Sequence, residues 1–479
     1  MFNESDMKRA KQRTGFLREP ICRKTCQKNR CIALIVFSAL LLILPNMLLA
    51  QESLSLSQAI TLAMAQNPAV RASTIAEKGA AERLTQARSG YLPEVNYSES
   101  LQWGNNPVYV FGSLLEQHRF SSNNFELGSL NRPDALTNFA SQLTVSETLF
   151  DGNKTKNRIL SARIAKDITG EQNRESGMDV LQAVVETYYA TVVAQEDQRV
   201  ADEAYRTAQS DLDHAQSLHD AGMTTDADVL ALRVHLAEVE DQRIRAGNNV
   251  RVARARLNDV LAEPLETEYT LSTPLRPAAG SAAKIEEYEA RALRERPEAR
   301  QAEMNVSLAE TASNLARAAL LPEVSLHGAF EANRQGFASR GGSDWMTGAT
   351  LRLNLFRGFA DRSRIAESSF LKTQREHERQ KTQSALRLQV RQSFLDFESS
   401  SSRVLTAQAS ISEAEENHRI VADRYEAGLS TVTELLRSQT ALSAAKFRYL
   451  GAVFDQRIAA VRLERAAGSL NPSSDVLKP

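Results

Sequence analysis

The chain has 479 residues, of which 42% are hydrophobic and 24% are charged, with 58 Lys and Arg against 59 Asp and Glu. This balance leaves no basic surplus to neutralise phosphates, which argues against a dedicated nucleic-acid-binding protein. Only 21 Gly and 13 Pro are present, which disfavours a loop-rich all-β chain or a disordered one and predicts long helices.

Residues 1–50 have the layout of a secretory signal peptide. Basic residues crowd the first thirty positions, an apolar run follows from Cys31 to Leu44, and the small residue Ala50 ends the segment. An uncleaved inner-membrane anchor is the alternative, because the apolar region approaches the length that spans a bilayer. Pro45 interrupts that region and favours the signal peptide. All cysteines precede residue 51, so the exported chain would have no disulfide scaffold and no cysteine catalysis.

The rest of the chain is an internal duplication. Three short motifs recur in the same order, and one long loop in the first copy accounts for the change in their spacing. The repeated motifs are Leu92-Pro93-Glu94-Val95 with Leu321-Pro322-Glu323-Val324, Leu149-Phe150-Asp151-Gly152 with Leu355-Phe356-Arg357-Gly358, and Ala221-Gly222 with Ala427-Gly428.

Each copy predicts a helix, two strands and then a very long helix. Apolar and polar residues alternate with a period of two near residues 95–103, 142–149, 324–330 and 349–355, which predicts four strands. The stretch between residues 104 and 137 is expected to be the larger external loop.

A long helix follows the second strand of each copy. From Asp151 to Asp220 there is neither Pro nor a turn cluster, and Leu181, Val184 and Tyr188 recur at helical spacing. About seventy residues would form a rod on the order of 100 Å. Such a length predicts coiled-coil-like or barrel packing rather than a compact domain.

These elements divide the chain into eight segments. They are 1–50, the signal peptide; 51–92, the first helices of repeat 1; 93–150, strands one and two with the external loop; 151–262, the long helices of repeat 1; 263–321, a linker and the first helices of repeat 2; 322–356, strands three and four; 357–467, the long helices of repeat 2; and 468–479, the C-terminal tail.

Four strands of about ten residues have the length that crosses an outer membrane, but they cannot close a barrel alone. Because known barrels need about eight strands, the chain must supply them as a symmetric oligomer of two, three or four copies. The strand pattern does not choose between these numbers.

Two features of the strands concern the lipid. Trp103 and Trp345 fall at the loop ends of strands one and four, where an aromatic girdle is expected; ordinary core tryptophans are the alternative. Glu99 and Glu147 occupy the apolar phase of their strands, where a charge facing lipid is costly. A bulge, an interfacial position or a wrongly assigned face could each explain them.

Together, the signal peptide, the tandem repeat and the three repeated motifs resemble the TolC family of outer-membrane efflux proteins over about residues 52–467. The resemblance implies a mainly α chain that contributes four strands to an oligomeric transmembrane β-barrel and long helices to a periplasmic α-helical barrel. It implies a homotrimer in outer-membrane lipid, a periplasmic adaptor, and an inner-membrane transporter of the RND, ABC or MFS type as partners. Lipid-anchored relatives carry a cysteine at the mature N-terminus. Gln51 stands there instead, so this chain resembles the non-lipidated branch of the family.

In the family, the helix turns farthest from the membrane form the adaptor contact and the pore gate. Independently of the resemblance, a Gly is expected to end one helix in the left-handed conformation and a Thr to cap the next. The turn residues that would contact the adaptor here are Gly222, Met223, Thr225, Gly428, Leu429 and Thr431.

Asp228 and Glu434 match the acidic gate positions of the family. Each also lies three residues after the Thr of its turn, which is the spacing of a capping box, so a cap alone and a cap that also lines the pore both stay open. Arg437 stands where the family has a second acid, which argues against a doubly acidic gate. Tyr425 matches a position whose hydroxyl helps to hold the gate closed; a buried tyrosine at a helix end is the alternative.

The sequence does not favour an enzyme. The seven histidines lack metal-binding spacing such as HExxH, no GxSxG or P-loop motif is present, and no metal or cofactor is expected. The leading hypothesis is a passive conduit in a tripartite efflux or type I secretion system. The alternative is a periplasmic coiled-coil adaptor or scaffold, which would have a single helical hairpin, whereas this chain duplicates both helices and strand pairs.

Overall fold

We describe the fold from a computed structural model, which covers residues 52–278 and 283–478. The predicted signal peptide, residues 1–50, lies outside the described residues. Two helical hairpins and one four-stranded sheet form most of the structure.

The two hairpins have the same dimensions. In the first, α5 (Lys154–Asp220) has 67 residues and α6 (Asp226–Leu261) has 36. In the second, α9 (Ala360–Glu426) has 67 and α10 (Val432–Ala467) has 36. A helix of that length extends about 100 Å, so the predicted rods are confirmed and the duplication extends to their lengths.

Shorter helices pack along the halves of the rods that lie nearer to the four-stranded sheet. Repeat 1 has α1 (Leu56–Gln66) and α2 (Pro68–Arg88), and repeat 2 has α7 (Ile285–Glu295) and α8 (Pro297–Ala318). The helices α2 and α8 both begin at a proline, which suits a first turn because its missing N–H would have no partner there. No helix in the described part of the chain is both long and apolar enough to cross a bilayer.

The main hydrophobic core lies where α1 packs on α5. Leu181, Val184 and Tyr188 of the predicted helical stripe are buried there. The hydroxyl of Tyr188 donates to the carbonyl of Leu54, 2.9 Å away. Leu54 ends the short strand β1 (Glu52–Leu54), which pairs with β4 (Tyr269–Leu271).

The four-stranded sheet is antiparallel in the order β2, β3, β5, β6. Its strands are β2 (Glu94–Gly104), β3 (Leu136–Phe150), β5 (Glu323–Arg334) and β6 (Gly342–Arg352). The sequence predicted all four, but the apolar alternation near 349–355 extends three residues beyond the end of β6. The strand ends at Arg352 because its partner strand begins at Glu323, which faces Arg352 in the register.

The two faces of the sheet differ in chemistry. One face carries exposed apolar side chains, among them Val95, Tyr97, Leu101, Phe330 and Leu351. The other carries Asn, Gln, Ser and Thr side chains in the alternate positions. An exposed apolar surface of this extent is rare on a soluble monomer and marks a surface that faces another protein or lipid.

The segment between β2 and β3 is not a simple loop. It contains α3 (Pro107–Glu116) and α4 (Leu127–Asn131), two helices where the sequence predicted a loop. The side chain of Asn106 accepts hydrogen bonds from the first N–H groups of α3, and Pro107 follows it. This cap explains why a helix starts there.

Candidate functional site

The first hairpin reverses at residues 221–225. Gly222 has φ +75°, and its N–H donates to the carbonyl of His219 at 2.8 Å. The N–H of Met223 donates to the carbonyl of Leu218, also at 2.8 Å. These two bonds form a Schellman motif, in which the left-handed glycine terminates α5.

The second hairpin repeats this geometry at residues 427–431. Gly428 has φ +71°, and its N–H donates to the carbonyl of Tyr425 at 2.9 Å. The N–H of Leu429 donates to the carbonyl of Arg424 at 2.7 Å. The expectation that Gly ends the helix in the left-handed conformation is confirmed at both turns.

A capping box opens α6. The N–H of Asp228 donates to Oγ1 of Thr225, and the Asp228 carboxylate accepts from the Thr225 hydroxyl at 2.7 Å and from Thr224 at 3.0 Å. The hydrogen bond from the Thr225 side chain is the main reason why the pKa of Asp228 is lowered. Asp228 is therefore ionised at neutral pH.

The same box opens α10. The N–H of Glu434 donates to Oγ1 of Thr431, and the Glu434 carboxylate accepts from the N–H of Thr431 at 3.1 Å and from Ser430 Oγ at 2.5 Å. The Ser430 hydrogen bond lowers the pKa of Glu434, with a smaller contribution from the charge of Arg437. The predicted caps are confirmed; a role in lining a pore stays a prediction.

The tips of both turns expose an apolar side chain. Met223 is 74% exposed and Leu429 is 69% exposed. Both follow the left-handed glycine, where a hydrophobic contact with the preceding helix is common, yet they point into solvent. They are therefore available to a partner.

Tyr425 lies in a small apolar cluster behind the turns. The cluster joins the two hairpins, and the ring of Tyr425 is half-buried in it. Burial, followed by the charges of Asp228 and Asp211, raises the pKa of this tyrosine. The apolar cluster consists of Leu212, Ala215, Leu232, Tyr425, Val432 and Leu436.

A polar contact between the hairpins was not foreseen from the sequence. Asp211 of α5 accepts a hydrogen bond from Gln439 of α10, and burial raises the pKa of Asp211. His418 of α9 lies 3.0 Å from Ser438, and burial lowers its pKa. Asp211 and Gln439 belong to different hairpins and lie 228 residues apart in the chain, so no local sequence motif pairs them. His418 and Ser438 lie 20 residues apart, on the two helices of the second hairpin.

The tryptophans and the two unexplained glutamates share the apolar face of the sheet. Trp103 and Trp345 are 75% and 74% exposed, and Glu147 faces Leu326 in the register. Glu99 accepts a hydrogen bond from Tyr97 and forms a 3.0 Å ion pair with Arg334 of β5. Glu99 is therefore a paired charge, which none of the three explanations offered above included.

Within residues 52–278 and 283–478, no group of three or more His, Cys, Asp or Glu side chains is arranged to hold a metal ion. The residues that the structure brings together are helix caps, apolar tips and ion pairs.

The chain is similar to known proteins in sequence and in fold. Residues 59–263 and 290–469 match the family described as outer membrane efflux protein. Protein CyaE of Bordetella pertussis is 25% identical over 427 residues, which cover 88% of this chain and 86% of that protein.

Two solved outer-membrane proteins have the same fold. The CmeC outer membrane channel of Campylobacter jejuni superposes with a TM-score of 0.73 at 17% identity, over 88% of this chain and 87% of that one. The outer membrane protein VceC of Vibrio cholerae superposes with a TM-score of 0.71 at 14% identity, over 86% and 96%. Since the family match spans most of both repeats, the chain belongs to the outer membrane efflux protein family, whose members are channels of the outer membrane with a periplasmic helical part.

Proposed function

We propose that three copies of the chain form a passive conduit, in which their strands close a twelve-stranded β-barrel in outer-membrane lipid and their helices continue it through the periplasm. The conduit does no chemistry, and a partner supplies the energy. The exposed apolar face of the sheet would contact lipid, with Trp103 and Trp345 in the aromatic girdle.

The contacts between the two repeats support a ring. Within the chain, β3 of repeat 1 pairs with β5 of repeat 2, and α5 packs along α8. In the described residues, the sheet ends at β2 and β6, each with a free edge. A neighbouring copy would satisfy both edges by repeating the same contact, with β6 and α9 of one copy against β2 and α2 of the next.

One pair of glycines carries this argument. Gly152 has φ +66° and lies so close to Leu321 that an added Cβ would be 2.6 Å from the Leu321 Cβ. Gly358, its equivalent in repeat 2, has φ +58° and no neighbour within 4 Å. The equivalent of Leu321 is Leu92, which is 67% exposed. The repeat therefore supports a contact between Gly358 and Leu92 of the adjacent copy in the proposed ring.

The gate would lie at the far ends of the hairpins. Three copies bring six turns together, and Asp228 and Glu434 would place ionised carboxylates around the opening. Tyr425, packed between the hairpins, would couple the two turns. The exposed tips Met223 and Leu429 would contact a periplasmic adaptor, together with Gly222, Thr225, Gly428 and Thr431, and an inner-membrane transporter of the RND, ABC or MFS type would complete the assembly.

The test combines native mass and single-channel conductance of protein extracted from outer membranes. We expect a trimer with a small conductance, and we expect Asp228→Asn with Glu434→Gln to raise conductance or reduce cation selectivity. Asp226→Asn is the matched control, since it removes an exposed carboxylate from the same turn. A soluble periplasmic species without pores would overturn the conduit and favour the adaptor or scaffold. If the double substitution changed neither conductance nor cation selectivity, Asp228 and Glu434 would act only as helix caps.

A further inference from the structure

The segment that joins β2 to β3, residues 105–135, is far longer than its counterpart in repeat 2, residues 335–341, which joins β5 to β6. We call residues 105–135 the outer insertion. It lies on the polar face of the sheet, which lines the lumen if the proposed barrel is correct. The inference below rests on that proposed function.

The outer insertion contacts the sheet from its first strand to its last. At β2, the hydroxyl of Tyr109 donates to the carbonyl of Gln102 at 2.9 Å, and its ring lies 3.9 Å from the position that a Cβ on Gly104 would take. At β6, a Cβ on Gly342 would lie 2.1 Å from the carbonyl oxygen of Glu116. Both glycines belong to the polar face, so the insertion crosses the inner side of the sheet end.

A chain of amide hydrogen bonds fixes the insertion in this position. The Nε2 of Gln117 donates to Oδ1 of Asn138 at 2.9 Å, and Nδ2 of Asn138 donates to Oδ1 of Asn333 at 2.6 Å. Asn333 donates in turn to Glu331 at 2.9 Å. Gln117 is 2% exposed and Asn333 is 1% exposed. Since buried amides are costly unless they are satisfied, this network holds α3 against the sheet.

The insertion also has its own apolar packing. The ring centroids of Phe111 and Phe120 lie 4.9 Å apart, and those of Phe120 and Phe125 lie 5.1 Å apart, both edge to face. Val110 is buried beneath them. The insertion is therefore a small folded unit with its own apolar contacts.

We propose that the outer insertion constricts the external mouth of the pore and limits the size of what passes there, as a second constriction separate from the periplasmic turns. Twelve strands about 4.8 Å apart and tilted by about 40° enclose a barrel roughly 24 Å across. A helix is about 10 Å thick, so three insertions on the inner wall occupy most of that opening. Each copy contributes one insertion. The short loop of repeat 2 does not extend into the opening, so a narrower passage stays between the three insertions.

The test measures access to the lumen from outside intact cells. Residues 52–478 contain no cysteine, so once the predicted signal peptide is removed, Ser100→Cys provides a single thiol on the polar face of β2, below the insertion. Labelling rates are compared for a small charged maleimide and for a maleimide on a 5-kDa polyethylene glycol. Ala338→Cys, in the short exposed loop of repeat 2, is the control for a thiol at the surface.

We expect Ser100→Cys to react with the small reagent and at least about tenfold more slowly with the large one. Replacing residues 105–135 by the short loop of repeat 2 should abolish that difference, and Gln117→Ala should reduce it while keeping the insertion. Equal protection from the large reagent in all three backgrounds, or no protection in the full chain, would overturn the constriction. If Ala338→Cys itself is not labelled from outside, the proposed membrane orientation fails, and the constriction fails with it.

Discussion

Glu99 of β2 and Arg334 of β5 form an ion pair across the intervening strand β3, on the apolar face of the sheet. The guanidinium Nη2 lies 3.0 Å from the carboxylate, and Nη1 lies 2.6 Å from Ser141, which stands between them on β3 and donates to the same carboxylate. Tyr97 completes the set with a 2.7 Å hydrogen bond. Two charges that would each be unfavourable beside lipid thus satisfy one another.

This pair predicts a coupled effect of substitution. Arg334→Gln leaves the Glu99 carboxylate without a counter-charge, so the heat stability of the proposed trimer should fall. The double variant with Glu99→Gln should recover part of the loss, because no lone charge remains. Gel migration of unheated and heated samples measures the effect, and Arg340→Gln in the neighbouring exposed loop is the control. Additive losses in the double variant would show that the two residues act independently.

A second prediction concerns the stability of the helix caps at low pH. Hydrogen bonding lowers the folded-state pKa values of Asp228 and Glu434. Their contribution to stability is therefore present above the ordinary carboxyl pKa and is lost as the pH falls through the lowered values, below about pH 4. Thr225→Ala should cost about 1 kcal/mol of stability at neutral pH.

Hydrogen exchange of the first turn of α6 measures this cap. Protection there should fall in Thr225→Ala at pH 7, while the equivalent turn of α10 is unchanged. Thr225→Ser keeps the hydroxyl and should keep the protection. If alanine and serine gave the same exchange rate, the capping bond would not stabilise the helix start.

A third prediction compares glycines that share a left-handed backbone. Gly428→Ala, at an open hairpin tip, should cost about 1 kcal/mol from the conformation alone. Gly152→Ala adds a clash with Leu321 and should cost about 2–4 kcal/mol. Gly358→Ala meets no neighbour within one chain, yet it should weaken the proposed trimer, because Leu92 of the next copy would then lie where Leu321 lies beside Gly152. If Gly358→Ala behaved like Gly428→Ala in trimer stability, the contact with Leu92 of the next copy would be absent.

The sequence was sufficient for the features that repeat or follow a period. Four strands, two long hairpins, and the Gly and Thr roles at the turns each have a local signal, because side-chain alternation and capping act within a few residues. The helix α3 also has such a local signal in Asn106-Pro107, although the sequence pattern predicted a loop there. The polar contacts were different. Arg334 contacts Glu99 only because β3 pairs with both β2 and β5 and sets their register. Asp211 contacts Gln439 only because the two hairpins pack together.

The fourth prediction concerns Asp197, a half-buried carboxylate on α5. Burial, and then the charge of neighbouring Glu196, raises its pKa to about 6. The fold therefore binds this proton more tightly than the unfolded chain does, so stability is lost as the pH rises from about 4 through 6. Because the side chain is partly open to water, which screens the effect, we expect the loss to be about 1 kcal/mol rather than the full shift.

Asp197→Asn should remove this loss, since the amide carries no charge at any pH. Its midpoint of thermal unfolding should exceed that of the unsubstituted chain at pH 7.5 and approach it at pH 4.5. Glu196→Gln is the control, because it removes the neighbouring charge while leaving Asp197 free to titrate, and it should lower the apparent pKa only slightly. A stabilisation of Asp197→Asn that is the same at both pH values would mean that the substitution acts through packing, and that Asp197 does not titrate near pH 6.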